Sequence, residues 1–251
     1  MRRSFAAVLA VLIVASAVAF PTLAAADEQV DLLLVLAADV SRSIDEGKFQ
    51  LQREGYAAAI SDADVLHAIR SGHNGRSGLS FVEWSGVGSQ RLLIDWTTIS
   101  GLESARGFGD RLLEAPRSFA DRTSISGGIE FAMAQLARAP YASSRRTIDV
   151  SGDGTNNAGR EVALARDEAV ARGITINGLV ILSAVPLAWN PDHTNPPGGL
   201  ENYYRHNVIG GPGAFVVAAQ DFNSFGQAII KKLIAEVAQT PAPTPLRTSA
   251  R

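Results

Sequence analysis

The sequence predicts a doubly wound α/β fold, in which a mostly parallel central sheet has one antiparallel edge strand and helices on both faces. Three observations predict this fold. Apolar runs suited to buried strands alternate with segments of helical periodicity along most of the chain. The first run, residues 32–38, is almost continuously apolar, as expected of a central strand that is covered on both faces. Residues 85–90 are too few to hold a crossover helix, so the next strand is expected to return antiparallel as a hairpin.

Taken in chain order, the predicted strands and helices alternate everywhere except at this hairpin. The strands are predicted at residues 32–38, 78–84, 91–97, 146–150, 173–182 and 214–219. The helices are predicted at residues 48–60, 102–113, directly after Thr123, 158–172, 203–208 and 222–238. An irregular insert, residues 183–199, follows the fifth strand and is longer than most connections in compact domains.

The two ends of the chain differ in composition from the rest. Residues 1–26 combine Arg2 and Arg3 with an apolar stretch and a run of small residues, as in a removable secretory signal peptide. A membrane anchor is the competing interpretation, but the apolar stretch is shorter than a typical span. We therefore expect a periplasmic or secreted protein with no stable membrane span after cleavage, a folded domain over residues 27–239 and a disordered Pro-rich tail over 240–251.

Charge and cysteine content exclude several classes of protein. Without Arg2 and Arg3, 21 basic side chains remain beside 25 acidic ones, a formal net charge of −4. Nucleic acid is therefore not an expected partner, because phosphate binding requires clustered basic residues. The chain has no cysteine, which excludes disulfides, thiol catalysis and thiolate metal sites.

Hydroxyl and carboxylate side chains follow the first strand. Asp39 is expected at the carboxyl end of that strand, where open α/β sheets place their ligand sites, and Ser41 and Ser43 follow at alternate positions. These are hard oxygen ligands of the kind that suits Mg²⁺ or Mn²⁺. The alternative is purely structural, since Ser43 and Glu46 also fit the capping box that begins a helix.

Two later segments are expected to reach the same edge of the sheet. Thr123 precedes a helix whose first turn holds Gly127 and Gly128, and glycines there allow the backbone to approach an ion or another loop closely. Asp153 lies between two glycines directly after the fourth predicted strand. The structural alternatives are that Thr123 or Ser124 only caps the helix and that Asp153 belongs to a simple turn.

Together the segments DVSRS, TSISGGI and SGDG resemble the von Willebrand factor A-type (vWA) domains over residues 30–237. Those domains carry a metal-ion-dependent adhesion site written D-x-S-x-S, with a threonine on a second loop and an aspartate on a third. The resemblance implies a Rossmann-like vWA architecture and a metal site formed by Asp39, Ser41, Ser43, Thr123 and Asp153. It further implies Mg²⁺ or Mn²⁺ as the cofactor and a protein partner that offers an acidic side chain. The stretches IDVSGDGTNN, GITINGLVI and NYYRHNVIGGPGAFV are similar to an exported bacterial subgroup of these domains.

Three functions remain open at this point. A metal-dependent binding module is favoured, because the sequence has no nucleophile elbow, P-loop or dinucleotide-binding glycine motif. The alternatives are a metal-assisted hydrolase or phosphoryl-transfer enzyme and a structural domain with a stabilising metal.

Several aromatic and histidine side chains have both a functional and a structural interpretation. Trp84 is expected in the core, and the part of the insert around Trp189, Asp192 and His193 either borders the site or packs over a sheet edge. The four histidines lack zinc-ligand spacing and are expected to face solvent or to pack.

Overall fold

A computed structural model describes residues 28–238, and its centre is a six-stranded sheet. The strands are β1 (Glu28–Gln29), β2 (Leu33–Asp39), β3 (Ser77–Trp84), β4 (Gln90–Ile99), β5 (Tyr141–Ala142), β6 (Arg146–Gly152), β7 (Thr175–Ile181) and β8 (Val216–Ala219). The central sheet has the order β4-β3-β2-β6-β7-β8, and only the edge pair of β3 and β4 is antiparallel. Both the parallel sheet and the hairpin edge predicted from the sequence are confirmed.

Helices cover both faces of the sheet. They are α1 (Glu46–Ile60), α2 (Ala63–Arg70), α3 (Leu102–Glu114), α4 (Ile125–Ala137), α5 (Val162–Ala171), α6 (Pro191–Thr194), α7 (Leu200–Asn207) and α8 (Phe225–Ala238). Because side chains alternate along a strand, Leu34 and Leu36 pack with α1, α2, α3 and α8, whereas Leu33 and Val35 pack with α4, α5 and α7. Every residue of β2 is buried, which explains its nearly continuous apolar sequence.

Two helices begin later than their periodicity predicts, because polar side chains hold the preceding residues in turns. The helix predicted at 158–172 begins at Val162, since the amides of Asn156 and Asn157 bond to the backbone around the start of α4. The helix predicted at 222–238 begins at Phe225, after a turn in which the Asp221 carboxylate accepts from the Ser224 backbone N–H.

A small two-stranded sheet lies at the opposite end of the domain from the carboxyl ends of the parallel strands. In it β1 pairs in parallel with β5, and the backbone N–H of Val30 donates to Ala142. Arg145, just before β6, donates from its guanidinium to the backbone oxygens of Glu236 and Val237 at the end of α8. The two ends of the described chain are therefore held at the amino-terminal edge of the central sheet.

The predicted signal peptide, residues 1–26, and the predicted Pro-rich tail, residues 240–251, lie outside the described residues. No helix within residues 28–238 has the length and apolar character needed to cross a membrane.

Candidate metal centre

The carboxyl ends of β2 and β6 bring two aspartates to one edge of the sheet. Asp39 is the last residue of β2, and Asp153 follows the last residue of β6 directly. The two strands are neighbours in parallel register, with Ala38 opposite Ser151. Ser41 and Ser43 lie in the loop between β2 and α1, and Thr123 lies two residues before α4.

Hydrogen bonds link four of the five predicted ligand residues. The Ser43 hydroxyl donates to Oδ1 of Asp153 at 2.5 Å, and the hydroxyl oxygens of Ser41 and Ser43 are 3.1 Å apart. Oδ1 of Asp39 accepts from the backbone N–H of Ser41 at 2.7 Å. All four residues are buried, so the structure joins the first and third segments into one continuous polar cluster.

The second carboxylate oxygen of Asp39 has no hydrogen-bond partner among the described residues. Asp39 is 0% exposed, so its Oδ2 is shielded from water, which is costly for an ionised group. Oδ2 lies beside Gly152 together with the hydroxyl of Tyr204, and a side chain at position 152 would collide with that hydroxyl and press against Oδ2. Burial, and after it the charge of Asp153, raises the pKa of the Asp39 carboxyl well above its usual range.

Asp153 is in the same unfavourable electrostatic position. Burial raises the pKa of its carboxyl, against the opposing effects of the Ser43 hydrogen bond and of the Lys48 ammonium. Nζ of Lys48 lies 3.9 Å from Oδ2 of Asp153 and donates to the backbone oxygen of Ser43 at 2.9 Å. The cation that acts on Asp39 is Arg117 instead, and burial still raises the pKa of both carboxyl groups, so a divalent cation between them would stabilise their charged forms.

Four hydrogen bonds from two side chains hold the backbone of the serine loop. The guanidinium of Arg117 donates to the backbone oxygens of Val40, Ser41 and Ile44. The amide of Gln52 on α1 donates to the backbone oxygen of Asp39 at 3.2 Å. These bonds engage backbone atoms and leave the hydroxyls of Ser41 and Ser43 to the cluster.

The helix caps separate Ser43 and Thr123 from the residues that begin α1 and α4, and one structural alternative holds, because Ser124 caps α4. The side chain that caps α1 is Asp45, which accepts from the backbone N–H of Lys48, so Ser43 is not the cap. The cap of α4 is Ser124, which accepts from the backbone N–H of Gly127, so Thr123 is not a cap either. The hydroxyls of Ser43 and Thr123 are therefore free of a capping role.

Thr123 contacts a histidine rather than the cluster of Asp39, Ser41, Ser43 and Asp153. Its Oγ1 lies 3.2 Å from Nε2 of His193, a residue of the insert that is 2% exposed. Thr123 and Ser43 nevertheless line the same cavity, which has a volume of about 340 Å³. The structure thus brings Thr123 to the edge of the predicted site and pairs it with His193, one of the insert residues that the sequence places either at the site or over a sheet edge.

His193 has polar neighbours at both ring nitrogens. Nδ1 lies 3.3 Å from the Thr155 hydroxyl oxygen and 3.4 Å from the Asn157 amide nitrogen, and Nε2 faces the Thr123 hydroxyl. Whether the neutral ring donates to Thr123 or accepts from it depends on which nitrogen carries the proton. Burial lowers the pKa of His193, which favours this neutral form.

Part of the insert borders the candidate site. Trp189 and His193 line the cavity beside Ser43 and Thr123, whereas Asp192 is exposed outside its lining. Trp84, in contrast, is fully buried in the core as expected. The one signal for His193 in the sequence was its position in a long insert after a central strand, and no spacing rule connects it to Thr123, 70 residues earlier.

The residues at this edge fit a hard divalent cation by their chemistry. Within residues 28–238 there is no group of three or more His, Cys, Asp or Glu side chains that could hold a metal. The cluster offers two carboxylates and two hydroxyls instead, with an Asp39 oxygen that lacks a partner, and Thr123 lines the adjoining cavity. That donor set suits Mg²⁺ or Mn²⁺ better than zinc.

The fold is that of the vWA domains. The domain superposes with a TM-score of 0.56 on proximal thread matrix protein 1 from the mussel byssus, in a structure with a zinc-occupied MIDAS motif, at 16% identity over 85% of this chain and 50% of the mussel protein. It superposes with a TM-score of 0.57 on the pilus adhesin SpaC from Lactobacillus rhamnosus GG, at 12% identity over 84% of this chain and 31% of SpaC. A von Willebrand factor type A protein from Catenulispora acidiphila matches with a TM-score of 0.53 and 12% identity, over 83% of this chain and 42% of that one.

The chain belongs to the family described as "Protein of unknown function (DUF1194)", whose profile matches residues 29–241. No curated protein matches it in sequence. The chain spans about half the length of the mussel protein and less of the other two, so these similarities establish the fold.

Proposed function

We propose that this domain is an exported binding module that holds Mg²⁺ or Mn²⁺ through Asp39, Ser41, Ser43, Thr123 and Asp153 and uses the ion to bind a carboxylate of a protein partner. The observation that carries the proposal is the buried cluster at the ends of β2 and β6. In it two carboxylates and two hydroxyls converge while one carboxylate oxygen has no partner. The bound ion would supply an electrostatic anchor for the partner's carboxylate.

The charge of the cluster supports a divalent cation. Asp39 and Asp153 both have raised pKa values, because both are buried and, for Asp39, because the Asp153 charge lies close to it. Ser41, Ser43 and Thr123 contribute neutral hydroxyls, so a bound Mg²⁺ would keep part of its charge. An incompletely neutralised cation at a cavity edge attracts a further anionic ligand.

The geometry around Thr123 favours binding over hydrolysis. A threonine beside a histidine suggests a nucleophile and its base, and such a base is normally oriented by a third group that also stabilises its charged form. In the described chain the groups at Nδ1 of His193 are the Asn157 amide and the Thr155 hydroxyl, which are both neutral, and burial lowers the pKa of the ring. The metal-assisted hydrolase therefore remains the second hypothesis.

Exposed apolar side chains support a protein as the partner. Val185, Val87 and Trp189 are 77%, 67% and 63% exposed, more than the other large hydrophobic residues recorded as exposed in the described chain. All three lie on loops that follow the carboxyl ends of β3 or β7, at the same edge as the cluster. Apolar residues concentrated on one edge are typical of an interaction surface. The similarity to a pilus adhesin and a matrix protein points the same way.

Thermal melts of the purified protein with Mg²⁺, Mn²⁺, Ca²⁺ or EDTA test the metal site. A ligand at a hundred times its dissociation constant stabilises a protein by about 2.7 kcal/mol, which is roughly 5–10 °C for a domain of this size. We expect such a rise with Mg²⁺ or Mn²⁺ in the wild type and its loss in Asp39→Asn and Asp153→Asn. Asp62→Asn is the matched control, since asparagine caps a helix as well as aspartate and Asp62 caps α2, where its charge is not among those that act on Asp39 or Asp153.

Partner capture separates binding from a purely structural metal. The wild type should retain a partner in the presence of Mg²⁺ and release it on adding EDTA. A melt that no divalent cation changes at millimolar concentration would remove the basis of the proposal. Mg²⁺-dependent turnover of a phosphate-ester panel, lost in Asp39→Asn, would replace it with the hydrolase.

A further inference from the structure

The cavity beside Ser43 and Thr123 has walls from three separate parts of the chain. Arg42 comes from the loop after β2, Arg122 from the segment before α4, and Trp189 from the insert after β7. The cavity of about 340 Å³ is thus the approach to the exposed side of the candidate metal centre. Its size is enough for an amino-acid side chain or two.

The two arginines of this cavity are unusual in the described chain. Most arginines within residues 28–238 donate a side-chain hydrogen bond or form an ion pair, as Arg53, Arg117 and Arg160 do. The guanidinium groups of Arg42 and Arg122 have no such partner among the described residues, and both side chains are exposed. A guanidinium is a rigid fork of donors that matches a carboxylate, so an unpaired pair beside a cavity is suited to an anionic group.

One acidic side chain lines the same cavity without neutralising it. The Asp121 carboxylate packs against Gly86 in the hairpin loop, where a side chain on residue 86 would collide with it. The backbone oxygen of Asp121 accepts from the backbone N–H of Arg42, which fixes the two cavity walls to each other. Two guanidiniums beside this one carboxylate leave an excess of positive charge in the cavity lining, in a chain whose overall charge is negative.

Trp189 offers an apolar surface that is held in place. The indole is 63% exposed, whereas Trp84 and Trp96 are 0% and 9% exposed. The insert that carries it is fastened by His193 against Thr123 and by the hydroxyl of Thr194, which accepts from the backbone N–H of Leu187. An exposed tryptophan beside arginines, on a segment that is itself held in place, has the composition of an interface hot spot.

We infer that this cavity binds a second acidic side chain of the partner. In this arrangement one partner carboxylate binds at the metal centre, a second one close to it in sequence binds Arg42 and Arg122, and the chain between them packs against Trp189. The partner is therefore a protein segment with two neighbouring acidic residues. This inference rests on the proposed function and adds a requirement that the metal site alone does not impose.

Labelled synthetic peptides test the inference directly. One Gly/Ser-based peptide carries a single Asp, a second carries two Asp separated by one residue, and a third carries Lys in place of both. Fluorescence anisotropy in Mg²⁺ gives their affinities for the purified protein. We expect the second Asp to tighten binding about tenfold, in line with a charge-assisted hydrogen bond.

The arginine variants identify which residues produce that gain. In the double variant Arg42→Gln/Arg122→Gln, the two-Asp peptide should bind no better than the one-Asp peptide, while the one-Asp affinity and the Mg²⁺ melt are unchanged. Arg91→Gln/Arg106→Gln is the matched control, since neither of those side chains has a partner in the described chain and neither lines the cavity. Binding should also protect Trp189 from acrylamide quenching, and Trp189→Phe should remove the quenchable signal.

The outcomes separate the inference from the proposed function. Equal Mg²⁺-dependent affinity for one and two Asp, or a gain that survives in the arginine variant, overturns the inference and leaves the proposed function standing. Binding of the Lys peptide as strong as that of the two-Asp peptide also overturns it. If neither acidic peptide responds to Mg²⁺, the inference and the proposed function fail together.

Discussion

Nε2 of His193 lies 3.2 Å from Oγ1 of Thr123, and the ring reaches this position only because residue 154 is a glycine. A methyl group on Gly154 would overlap Cε1 and Nε2 of the imidazole. The residue after Asp153 therefore cannot gain a side chain while His193 keeps its place. This contact joins the aspartate loop, the threonine loop and the insert.

The contact between His193 and Gly154 predicts a coupled pair of substitutions. Gly154→Ala should destabilise the protein by about 1–3 kcal/mol, because the ring must leave a close-packed position. His193→Ala in the same chain should recover part of this loss, since the added methyl group then has space. Urea unfolding of the wild type, both single variants and the double variant gives the coupling free energy. Strictly additive effects would show that the two residues do not meet.

Lys48 predicts a variant with tighter metal binding. Its ammonium lies 3.9 Å from Oδ2 of Asp153 and opposes a cation at the same carboxylate. Lys48 also lies in the first turn of α1, where the helix dipole disfavours positive charge, and it is held there by the Ser43 backbone oxygen and the ring of Phe222. Lys48→Met keeps the apolar contact and removes the charge, so affinity for Mg²⁺ should rise about fivefold, or about 1 kcal/mol.

Isothermal titration at pH 8, where protons compete least for Asp153, measures this change. The matched control is Lys231→Met, which removes an exposed lysine from α8. Unchanged or weaker Mg²⁺ binding in Lys48→Met would mean that the ammonium supports the site instead of competing for it.

A buried charge cluster between β6 and α8 predicts a dependence of stability on pH. Nζ of Lys232 lies 2.7 Å from Asp149 and 2.5 Å from Glu236, and Asn177 donates to Glu236 at 2.9 Å. Tyr56 on α1 also lies near Asp149, but its neutral hydroxyl does not compensate the charge of the carboxylate. One ammonium cannot neutralise two buried carboxylates, and burial raises the pKa of Asp149 to about 7.

The sign of this effect follows from proton binding. The folded pKa of Asp149 lies above the ordinary aspartate value of about 3.9, so the folded protein holds a proton that the unfolded chain releases. The contribution of Asp149 to stability is therefore full at low pH and falls by up to about 1.4 kcal/mol per pH unit between about pH 4 and 7. Asp149→Asn should remove this slope in urea unfolding measured from pH 4.5 to 8. Parallel pH profiles for the two proteins would contradict the prediction.

The buried pair of Arg53 and Glu83 predicts a large loss of stability. The guanidinium of Arg53 bonds to the Glu83 carboxylate, whose side chain is 0% exposed and whose Oε2 accepts from the backbone N–H of Ser118. Arg53→Met leaves that charge unpaired and should cost about 3–5 kcal/mol of unfolding free energy. Arg76→Met is the matched control, because it breaks an exposed pair with Glu28 and should cost less than about 1 kcal/mol.

A double variant, in which the Glu83 carboxylate is also removed, checks the cause of that loss of stability. In Arg53→Met/Glu83→Gln the buried side chain is neutral and can still accept from Ser118, so the double variant should be more stable than Arg53→Met alone. A double variant that is less stable than either single variant would mean that packing of the arginine, and not its charge, determines the effect.

The sequence was enough to predict the sheet and the proximity of Asp39 to Asp153, because both depend on local patterns and on a general rule of parallel sheets. Long apolar runs marked β2 and β7, and a short connection marked the antiparallel edge. Since parallel strands end at one edge, Asp39 and Asp153 had to lie close together. The metal ligation by these residues stays a prediction.

Other features depend on tertiary contacts that no local pattern encodes. His193 reaches Thr123 from an irregular insert, and Glu83 is buried in a strand only because Arg53 on α1 covers it. The strands β1 and β5 have two residues each, too few for a periodic pattern. Helix α2 was missed although its signal was present, since Asp62 caps a turn with Val65 and Ile69 at helical spacing.

The pairing of β1 with β5 and the hydrogen bonds of Arg145 to the end of α8 also determine where the described chain begins and ends on the domain. Residues 28 and 238 both leave the domain on the side remote from Asp39 and Trp189. An attachment at either end, whether to a surface, a second domain or a sensor chip, leaves the cavity pointing outward. Residues 28 and 238 and the cavity therefore lie at opposite ends of the central sheet, so a linkage through either of those residues would not cover the cavity.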